Sequence, residues 1–426
     1  MIDLKELKSR RDEIAENIRV RNMQVDIDAI IDLQEKRSAL LRQVEELRSK
    51  RNENAKKMKG KLDSESRSTL IAEGKSLKES IAEIESSLSH IEEEFQKLAR
   101  TIPNYAHPAA PVGKEDKDNT AIKFVGTPPQ FSFKPLDHVQ LAERLDLIDF
   151  DTATKVSGPK FYYLKREAVI LQMALERYAM DIVIKKGFTP FITPDIAKEE
   201  ILQGIGFNPR GEESNIYTIE NTDTCLVGTA EITLGGYYAN QILSKDQLPI
   251  KMAGLSHCFR REAGGAGQYS KGLYRVHQFS KLEMFIYCTS EESEAFHDEL
   301  LSIEEEIFSG LGVAYRVVDT CTGDLGAPAY RKFDIEAWMP GRGEDGEYGE
   351  VTSTSNCTDY QARSLAIRYK DDEGKIQFPH MLNGTAIALS RAMVAVLENF
   401  QNEDGSITIP PILVPYTGFS KIEARS

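Results

Sequence analysis

The chain has 426 residues, of which 41% are hydrophobic, and a formal net charge of −14. This length predicts two or three domains with a sizeable core. The acidic balance argues against non-specific coating of nucleic acid, although it leaves room for a local basic patch. No apolar run is long enough to span a bilayer, and residues 1–21 lack the apolar stretch of a signal peptide. The five cysteines are widely spaced, which favours reduced thiols in a cytosolic protein over a zinc knuckle or a redox pair.

Residues 30–98 predict a pair of helices. The stretch has no proline, and its apolar residues recur at alternating spacings of four and three, as in a heptad seam. Gly60 can end a first helix, and Asp63 or Ser64 can cap a second. Two helices of similar length joined by a short turn predict an antiparallel hairpin, which at roughly 50 Å would project into solvent.

The two predicted helices differ in charge. Residues 36–61 hold ten lysines or arginines against three acids, whereas the return helix is net acidic. One interpretation is an ordinary solvated coiled coil. The other is a basic rod that binds a phosphate backbone, an unusual feature in an acidic chain.

Prolines from Pro103 to Pro135 predict a loop-rich connector, with residues 113–120 as a polar linker. The pattern becomes globular from about Lys160. We expect a long helix at 164–186, short strands separated by glycine turns up to Asp359, and a last helix at 383–401. Mixed elements of this kind predict an α+β domain.

A chemically suggestive segment begins at Cys258. In a strand, Arg260 and Glu262 would share one face, where they could hold a phosphate and a base amine; a surface ion pair is the alternative. The glycine-rich stretch 263–267 and a returning strand from Gly272 complete a predicted hairpin. Arg275 on that strand also suits a polyphosphate.

Phe279 suits either stacking on a purine or a place in the core, and His277 is expected to be structural. Glu350 and Ser353 have oxygen ligands that suit Mg²⁺. In a regular strand they would face opposite ways, so sharing an ion needs a bend or bulge; unrelated surface groups are the alternative. We expect residues 383–385 to open the last helix and attract an anion, with Arg391 about two turns further along.

In their order, these stretches resemble the three signature motifs of class II aminoacyl-tRNA synthetases, and among them the seryl enzymes of bacterial or organellar type. Motif 1 resembles 187–194, motif 2 resembles 259–279 and motif 3 resembles 384–391. The helical pair is similar to the tRNA-binding arm of that family. Segments similar to seryl-specific ones are 228–231, 350–359 and 382–385.

The resemblance implies an α+β fold with a coiled-coil tRNA-binding arm at 1–105, a connector at 106–160 and an antiparallel-sheet catalytic domain at 161–426. It implies a ligase that activates L-serine with ATP to seryl-adenylate and transfers serine to tRNA(Ser), with tRNA(Sec) as a further substrate. Mg²⁺ would accompany ATP, and no zinc is expected. The enzyme would be a cytoplasmic homodimer without a membrane partner.

The resemblance also implies residue roles, with Arg260 and Arg391 as the catalytic residues and Glu350 and Ser353 as metal ligands. The implied serine pocket comprises Thr229, Glu231, Arg260, Glu283, Asn383 and Thr385. The implied ATP contacts are Arg260, Glu262, Arg275, Val276, Phe279, Glu350, Val351, Thr352, Ser353 and Arg391.

The chain departs from the family pattern in two places. Many class II enzymes have glycine where Ala386 and Ser390 stand, so we expect altered packing under ATP; residues 204–223 also differ from the commonest bacterial form. Two alternatives stay open. A ligase that loads an amino acid onto a carrier protein would keep the adenylation residues without needing the arm, and a non-catalytic scaffold would have lost the ATP and metal ligands.

Overall fold

A computed structural model describes residues 1–61, 63–208, 215–262 and 272–425. The chain divides into two compact units, Met1–Pro103 and Asn104–Ser426. The α-helices of the described residues are α1 (Arg11–Val20), α2 (Ile27–Lys57), α3 (Ser64–Ala99), α4 (His138–Leu145), α5 (Phe150–Ser157), α6 (Glu167–Lys185), α7 (Glu199–Ile205), α8 (Ala230–Gly235), α9 (Ser293–Leu311), α10 (Tyr360–Ser364), α11 (Leu389–Asn399) and α12 (Val414–Thr417).

The strands of the described residues belong to the second unit. They are β1 (Thr120–Val125), β2 (Ile148–Asp149), β3 (Tyr163–Leu164), β4 (Thr189–Ile192), β5 (Ile196–Lys198), β6 (Thr224–Leu226), β7 (Ile242–Ser244), β8 (Ile250–Phe259), β9 (Gln278–Cys288), β10 (Tyr315–Asp319), β11 (Arg331–Met339), β12 (Glu347–Asn356), β13 (Arg368–Lys370), β14 (Ile376–Gln377), β15 (His380–Ala388), β16 (Ile407–Thr408) and β17 (Lys421–Ile422).

The first unit contains the predicted helical hairpin. Asp63 caps α3 by accepting a hydrogen bond from the Ser66 amide at 2.7 Å, which fixes the start of the return helix. The antiparallel pairing is visible in two contacts along the helices. Arg48 donates to Glu85 at 2.7 Å, and Asn54 donates to Glu73 at 2.8 Å. The predicted antiparallel helical pair is therefore confirmed.

The second unit is built on an eight-stranded sheet with the order β1-β10-β11-β12-β15-β9-β8-β4. The neighbouring strands are antiparallel, except that β4 runs parallel to β8. This confirms the predicted antiparallel-sheet α+β fold. The order places β12, β15, β9 and β8 side by side, although β12 and β8 lie far apart in the sequence.

The alternation of side chains along β9 separates the core from a polar surface. Leu282, Met284 and Ile286 are fully buried in the main core, which also receives residues from α6, α9 and α11. Burying each such side chain contributes roughly 1.5–3 kcal/mol. Lys281 and Glu283 occupy the intervening positions and therefore lie on the other face of the sheet.

In this unit one predicted helix begins later than expected, and another helix was missed. Residues 383–388 belong to β15 and not to the last helix, because Asn383 and Thr385 pair with Phe285 and Glu283 of β9. Short apolar runs such as 386–389 fit a strand or a helix equally well, so strand pairing decides. The helix α9 (Ser293–Leu311), within a stretch predicted as strands, was missed.

The predicted connector contains elements of the second unit. β1 pairs with β10 at one edge of the sheet, and α4 buries Leu141 and Leu145 in the main core. Even the polar segment before β1 is held in place, since the Asn119 side chain accepts from the Cys321 amide at 2.8 Å. The prolines here mark turns between packed elements.

None of the helices in the described parts of the chain is both long and apolar enough to cross a bilayer.

Candidate active site

A polar cavity of about 200 Å³ opens on the face of the sheet formed by β12, β15, β9 and β8. Six segments distant in sequence contribute to its wall. The described lining residues are Phe207, Thr229, Glu231, Arg260, Phe279, Lys281, Glu283, Glu350, Val351, Thr352, Ser353, Ser355, Asn383, Thr385, Ala388 and Arg391.

Arg260 provides a cation beside an aromatic surface. Its amide donates to the His277 carbonyl at 3.0 Å, and His277 Nδ1 lies 2.8 Å from the Arg260 carbonyl, so pairing of the two chains continues past β8. The guanidinium lies 5.2 Å from the centre of the Phe279 ring, and its Nε donates to the Gly228 carbonyl at 3.3 Å. His277 therefore joins the two chain segments at this end of the sheet.

The strand argument for Arg260 and Glu262 was wrong. β8 ends at Phe259, and Glu262 has a left-handed backbone with φ of 48°, so side-chain alternation does not place the two residues. Glu262 instead forms an ion pair with Arg275, whose Nη1 lies 3.4 Å from Glu262 Oε2. The returning strand begins at Gln278 and not at Gly272, and the glycine stretch 263–267 lies outside the described residues.

Not every residue expected to contact ATP lines the cavity. The described lining includes Phe279, Arg260 and Arg391 but does not include Glu262, Arg275 or Val276. These three residues flank the stretch that lies outside the described residues, and Val276 is buried.

Glu231 is a carboxyl group held by neutral partners. It lies in the first turn of the short helix α8, whose cap is Thr229. Its Oε1 accepts from Gln361 at 2.8 Å and from Asn383 at 3.1 Å. Burial, and then the nearby Glu283 carboxylate, raise the pKa of Glu231 to about 7. The group can therefore change charge near neutral pH.

A second buried cluster joins β9 to β15. The Lys281 ammonium forms an ion pair with Glu283 and donates to Thr385 Oγ1 at 3.3 Å. Thr385 in turn donates to Glu283 Oε2 at 3.3 Å. Register explains the meeting, because Thr385 lies directly opposite Glu283 and Lys281 lies two residues before Glu283 on the same face.

A bulge brings Glu350 and Ser353 to one surface. Ile335 pairs with Thr352 while Glu336 pairs with Glu350, so Val351 is the extra residue in β12. Both Glu350 and Ser353 line the cavity. Without the bulge, strand alternation would turn them to opposite faces of the sheet. Ser353 also lies opposite Asp334, whose pKa is raised to about 6 by burial.

Arg391 lines the cavity beside Glu350. It lies in the first turn of α11, not two turns into a helix, and its Nη1 is 3.1 Å from Glu350 Oε1 and 3.0 Å from the Glu350 carbonyl. Partial desolvation by its neighbours raises the pKa of Glu350, but the charges of Arg391, Lys332 and Arg260 together outweigh that effect and keep it below its usual value. The pair keeps a cation and an anion at the same point of the wall.

The guanidinium of Arg391 also stacks on Tyr274, 4.7 Å from the ring centre. Arg342 lies at the same distance from that ring. The Tyr274 hydroxyl donates to the Glu350 carbonyl at 3.1 Å. Tyr274 thus links the motif 2 segment to the bulge of β12 and to motif 3.

Some residues of the site were missed by the sequence analysis. Lys281 and Asp334 could have been found from strand alternation, since each occupies a position on the same face as a polar neighbour. Gln361 and Tyr274 gave no local signal, because their partners lie far away in the sequence. Of the residues that depart from the family pattern, Ala386 occupies a bulge in β15 and Ser390 is buried at the start of α11, whereas the stretch 204–223 lies partly outside the described residues.

Two family models match the chain. A model of the seryl-tRNA synthetase N-terminal domain matches residues 1–106. A model of the class II tRNA synthetase core domain (G, H, P, S and T) matches residues 216–400.

Full-length relatives show the same likeness. The chain is 63% identical to a serine–tRNA ligase of Treponema denticola over 99% of its length and 100% of the relative's. It is 55% identical to the serine–tRNA ligase of Borrelia garinii subsp. bavariensis over the whole of both chains. Among solved structures, the seryl-tRNA synthetase of Pyrococcus horikoshii complexed with ATP is 39% identical, with a TM-score of 0.90 over 100% of both chains.

Proposed function

This chain belongs to the seryl-tRNA synthetase family, and we propose that it forms seryl-tRNA in two steps within the cavity described above. It is a class II ligase that joins serine to tRNA. The observation that carries the proposed mechanism is a single cavity whose wall includes Arg260, Arg391, Glu231 and Thr385. These groups can hold an anionic nucleotide and a zwitterionic amino acid next to each other.

In the first step, the serine carboxylate attacks the α-phosphorus of ATP. A bond forms between a carboxylate oxygen and that phosphorus, and the bond from the phosphorus to the oxygen bridging to the β-phosphate breaks, so that pyrophosphate leaves. Both reactants are anions, and Arg260 reduces their repulsion at the α-phosphate while Arg391 holds the terminal phosphates. Catalysis rests on positioning and charge, without a side-chain nucleophile.

The adenine ring is proposed to lie against Phe279. The Phe279 ring already carries the Arg260 guanidinium at 5.2 Å, so base and α-phosphate would be held by adjacent groups. Glu262 receives the adenine amino group, and Arg275 and the backbone of Val276 complete this end of the nucleotide site. The backbone at Val351 and Thr352 lies beside the phosphates.

Serine is proposed to bind deeper in the same cavity. Glu231, aided by Thr229, binds the ammonium, because its carboxyl group has only neutral hydrogen-bond partners among the contacts described above. Thr385 and Asn383 recognise the hydroxyl group beside Glu283. A pocket that hydrogen-bonds a hydroxyl rejects alanine, since its own polar groups would be left unpaired.

We assign Glu350 and Ser353 as ligands of the Mg²⁺ that accompanies ATP. The bulge at Val351 places a carboxylate and a hydroxyl on one surface, a donor set that suits Mg²⁺ with substrate phosphates as its remaining ligands. Among the described residues there is no group of three or more acidic, histidine or cysteine side chains suited to a metal. When bound, the ion would neutralise phosphate charge. Arg391 would hold the terminal phosphates.

The RNA partner is proposed to bind the helical hairpin. The exposed lysines and arginines of α2, such as Arg42, Lys50 and Lys56, make up a basic row suited to phosphates. The substrates would be tRNA(Ser) and also tRNA(Sec), because recognition along such a row depends on RNA shape more than on bases. We assign residues 1–105 to the tRNA-binding arm, 106–160 to the connector and 161–426 to catalysis.

The proposed enzyme works in the cytoplasm as a homodimer. Reduced thiols fit that compartment, and among the described residues Cys225, Cys258, Cys288, Cys321 and Cys357 are buried and form no disulfide with one another. The proposed dimer surface is α6 and the edge strand β4, which expose apolar side chains including Met173 and Ile192.

Pyrophosphate exchange with each standard amino acid in turn tests the first step, and aminoacylation of tRNA(Ser) and tRNA(Sec) transcripts tests the second. Exchange that depends on serine, together with serine transfer to tRNA(Ser), is expected. Exchange without transfer to tRNA would favour a carrier-protein ligase. No exchange with any amino acid would favour a non-catalytic scaffold.

A further inference from the structure

Lys281 is a buried charge in the cavity for which the proposed reaction has no role. Its side chain is 8% exposed and that of Glu283, its ion-pair partner, is 2% exposed. A buried lysine is costly unless a carboxylate and hydrogen-bond acceptors satisfy it. Lys281 has both, in Glu283 and in Thr385 Oγ1 at 3.3 Å. The arrangement is a closed ring of three polar side chains joining β9 to β15.

The ring fixes the direction of the Thr385 hydroxyl. A hydroxyl has one proton to donate and two lone pairs to accept with. The proton of Thr385 is directed to Glu283 Oε2 at 3.3 Å, and one lone pair accepts from Lys281 Nζ. What remains is one lone pair, so a ligand can bind this hydroxyl only by donating a hydrogen bond.

Because of the ring, the two acidic groups of the cavity differ in whether a positive charge already neutralises them. The carboxylate of Glu283 is already neutralised by Lys281, whereas Glu231 is held by the neutral amides of Gln361 and Asn383. One substrate ammonium can therefore be matched by one carboxyl group, Glu231. The Glu283 end of the cavity is left for a neutral group that donates a hydrogen bond, and the side chain of serine is such a group.

We propose that Lys281 is a specificity-determining residue, which holds Thr385 and Glu283 in the orientation that accepts a hydrogen bond from the serine hydroxyl. The inference rests on the proposed function. Alanine would leave the last lone pair of Thr385 unsatisfied in a buried site. Without Lys281, the Thr385 hydroxyl can turn and the cost of binding alanine falls.

The test measures adenylate formation by the full chain with serine and with alanine, at saturating ATP. Lys281→Met is expected to lower the ratio of kcat/KM for serine over that for alanine by about 10- to 100-fold, the loss of a hydrogen bond to a charged group. The KM for ATP should change little. Lys251→Met is the matched control, since Lys251 is a part-buried lysine of the neighbouring strand β8, paired with Glu299 at 2.8 Å and outside the cavity wall.

Lys281→Met leaves the buried Glu283 carboxylate without its ion-pair partner, which can prevent this variant from folding. A second comparison therefore removes both charges. Glu283→Gln keeps Lys281, and the double variant Lys281→Met/Glu283→Gln has the same buried shape without either charge. A lower serine-to-alanine ratio in the double variant than in Glu283→Gln supports the proposal. An equal ratio, or a loss of activity shared equally by both amino acids, would overturn it.

The two proposals fail in different ways. A wild-type chain that shows no serine-dependent exchange would remove the proposed function itself. A wild-type chain that activates serine, with Lys281 variants that keep full discrimination against alanine, would remove only the role of Lys281.

Discussion

At the scale of single residues, the proposed role of Glu231 in binding the serine ammonium predicts that serine binding depends on pH. Burial and Glu283 raise its pKa to about 7 in the ligand-free protein, and a bound ammonium requires the ionised form. We expect the KM for serine to rise about tenfold for each pH unit below 7, because protons compete with serine for this group. The measurement is the pH profile of serine-dependent exchange, with the KM for ATP as an internal control.

The same raised pKa affects stability with a definite sign. The folded protein holds the Glu231 proton more tightly than the unfolded chain, whose pKa is near 4.5. This contribution is complete below about pH 4.5 and is lost as pH rises through about 7. Relative to Glu231→Gln, the melting temperature of the ligand-free chain should therefore fall between pH 5.5 and 8. Parallel curves for the two proteins would contradict the assigned pKa.

Tyr274 positions the arginine of motif 3. Its ring lies under Arg391 and Arg342, each at 4.7 Å, and its hydroxyl holds the Glu350 carbonyl. We expect Tyr274→Leu to raise the KM for ATP about tenfold, since each cation–π contact contributes roughly 0.5–2 kcal/mol. Tyr274→Phe keeps the ring and should lose much less. Equal losses in the two variants would assign the effect to the hydroxyl.

Single residues also show where sequence reasoning reached its limit. The need for a bulge between Glu350 and Ser353 followed from strand alternation alone, and the structure has it at Val351. The roles of Tyr274 and Gln361 could not be inferred in this way, since their partners are brought close only by the fold. Conversely, strand alternation failed for Arg260 and Glu262, because the strand ends one residue before Arg260.

At the scale of elements, the long periodic helices were predictable and the short apolar segments were not. α2 and α3 carry a heptad pattern over many turns, so their existence and pairing follow from sequence. The apolar run at the end of β15 fits a helix as well as a strand, and the pairing of β15 with β9 and β12 makes it a strand. Local propensity is weak compared with the hydrogen bonds and burial supplied by a central position in a sheet.

The basic row of α2 leads to a prediction about RNA binding. Replacing Lys50, Arg51, Lys56 and Lys57 with glutamine should raise the KM for tRNA(Ser) and weaken its dependence on salt, because fewer phosphates are neutralised. Serine-dependent exchange should be unchanged. Lys75→Gln/Lys78→Gln on α3 is the control for loss of charge on the other helix.

Deletion of residues 36–88 should remove tRNA charging and spare exchange. Charging that survives the deletion would exclude the hairpin as the RNA site.

At the scale of the whole molecule, the second unit exposes apolar side chains on α6 and on β4, an edge strand of the sheet as far as the structure describes it. Met173 on α6 is 61% exposed and Ile192 on β4 is 87% exposed, and β4 is the last strand of the sheet. An exposed strand edge with apolar neighbours favours association with another chain. The helix α6 leads directly into β4 through Gly187, so one continuous segment supplies both parts of this surface.

The homodimer proposal predicts that Met173→Glu/Ile192→Glu halves the mass measured by sedimentation equilibrium, because buried carboxylates without partners oppose association. Phe124→Glu is the matched control. Phe124 is 62% exposed, close to the value for Met173, but it lies on β1 at the opposite edge of the sheet. That variant should keep the wild-type mass. A monomeric wild-type chain, or dissociation caused equally by Phe124→Glu, would contradict the assignment of α6 and β4 as the dimer surface.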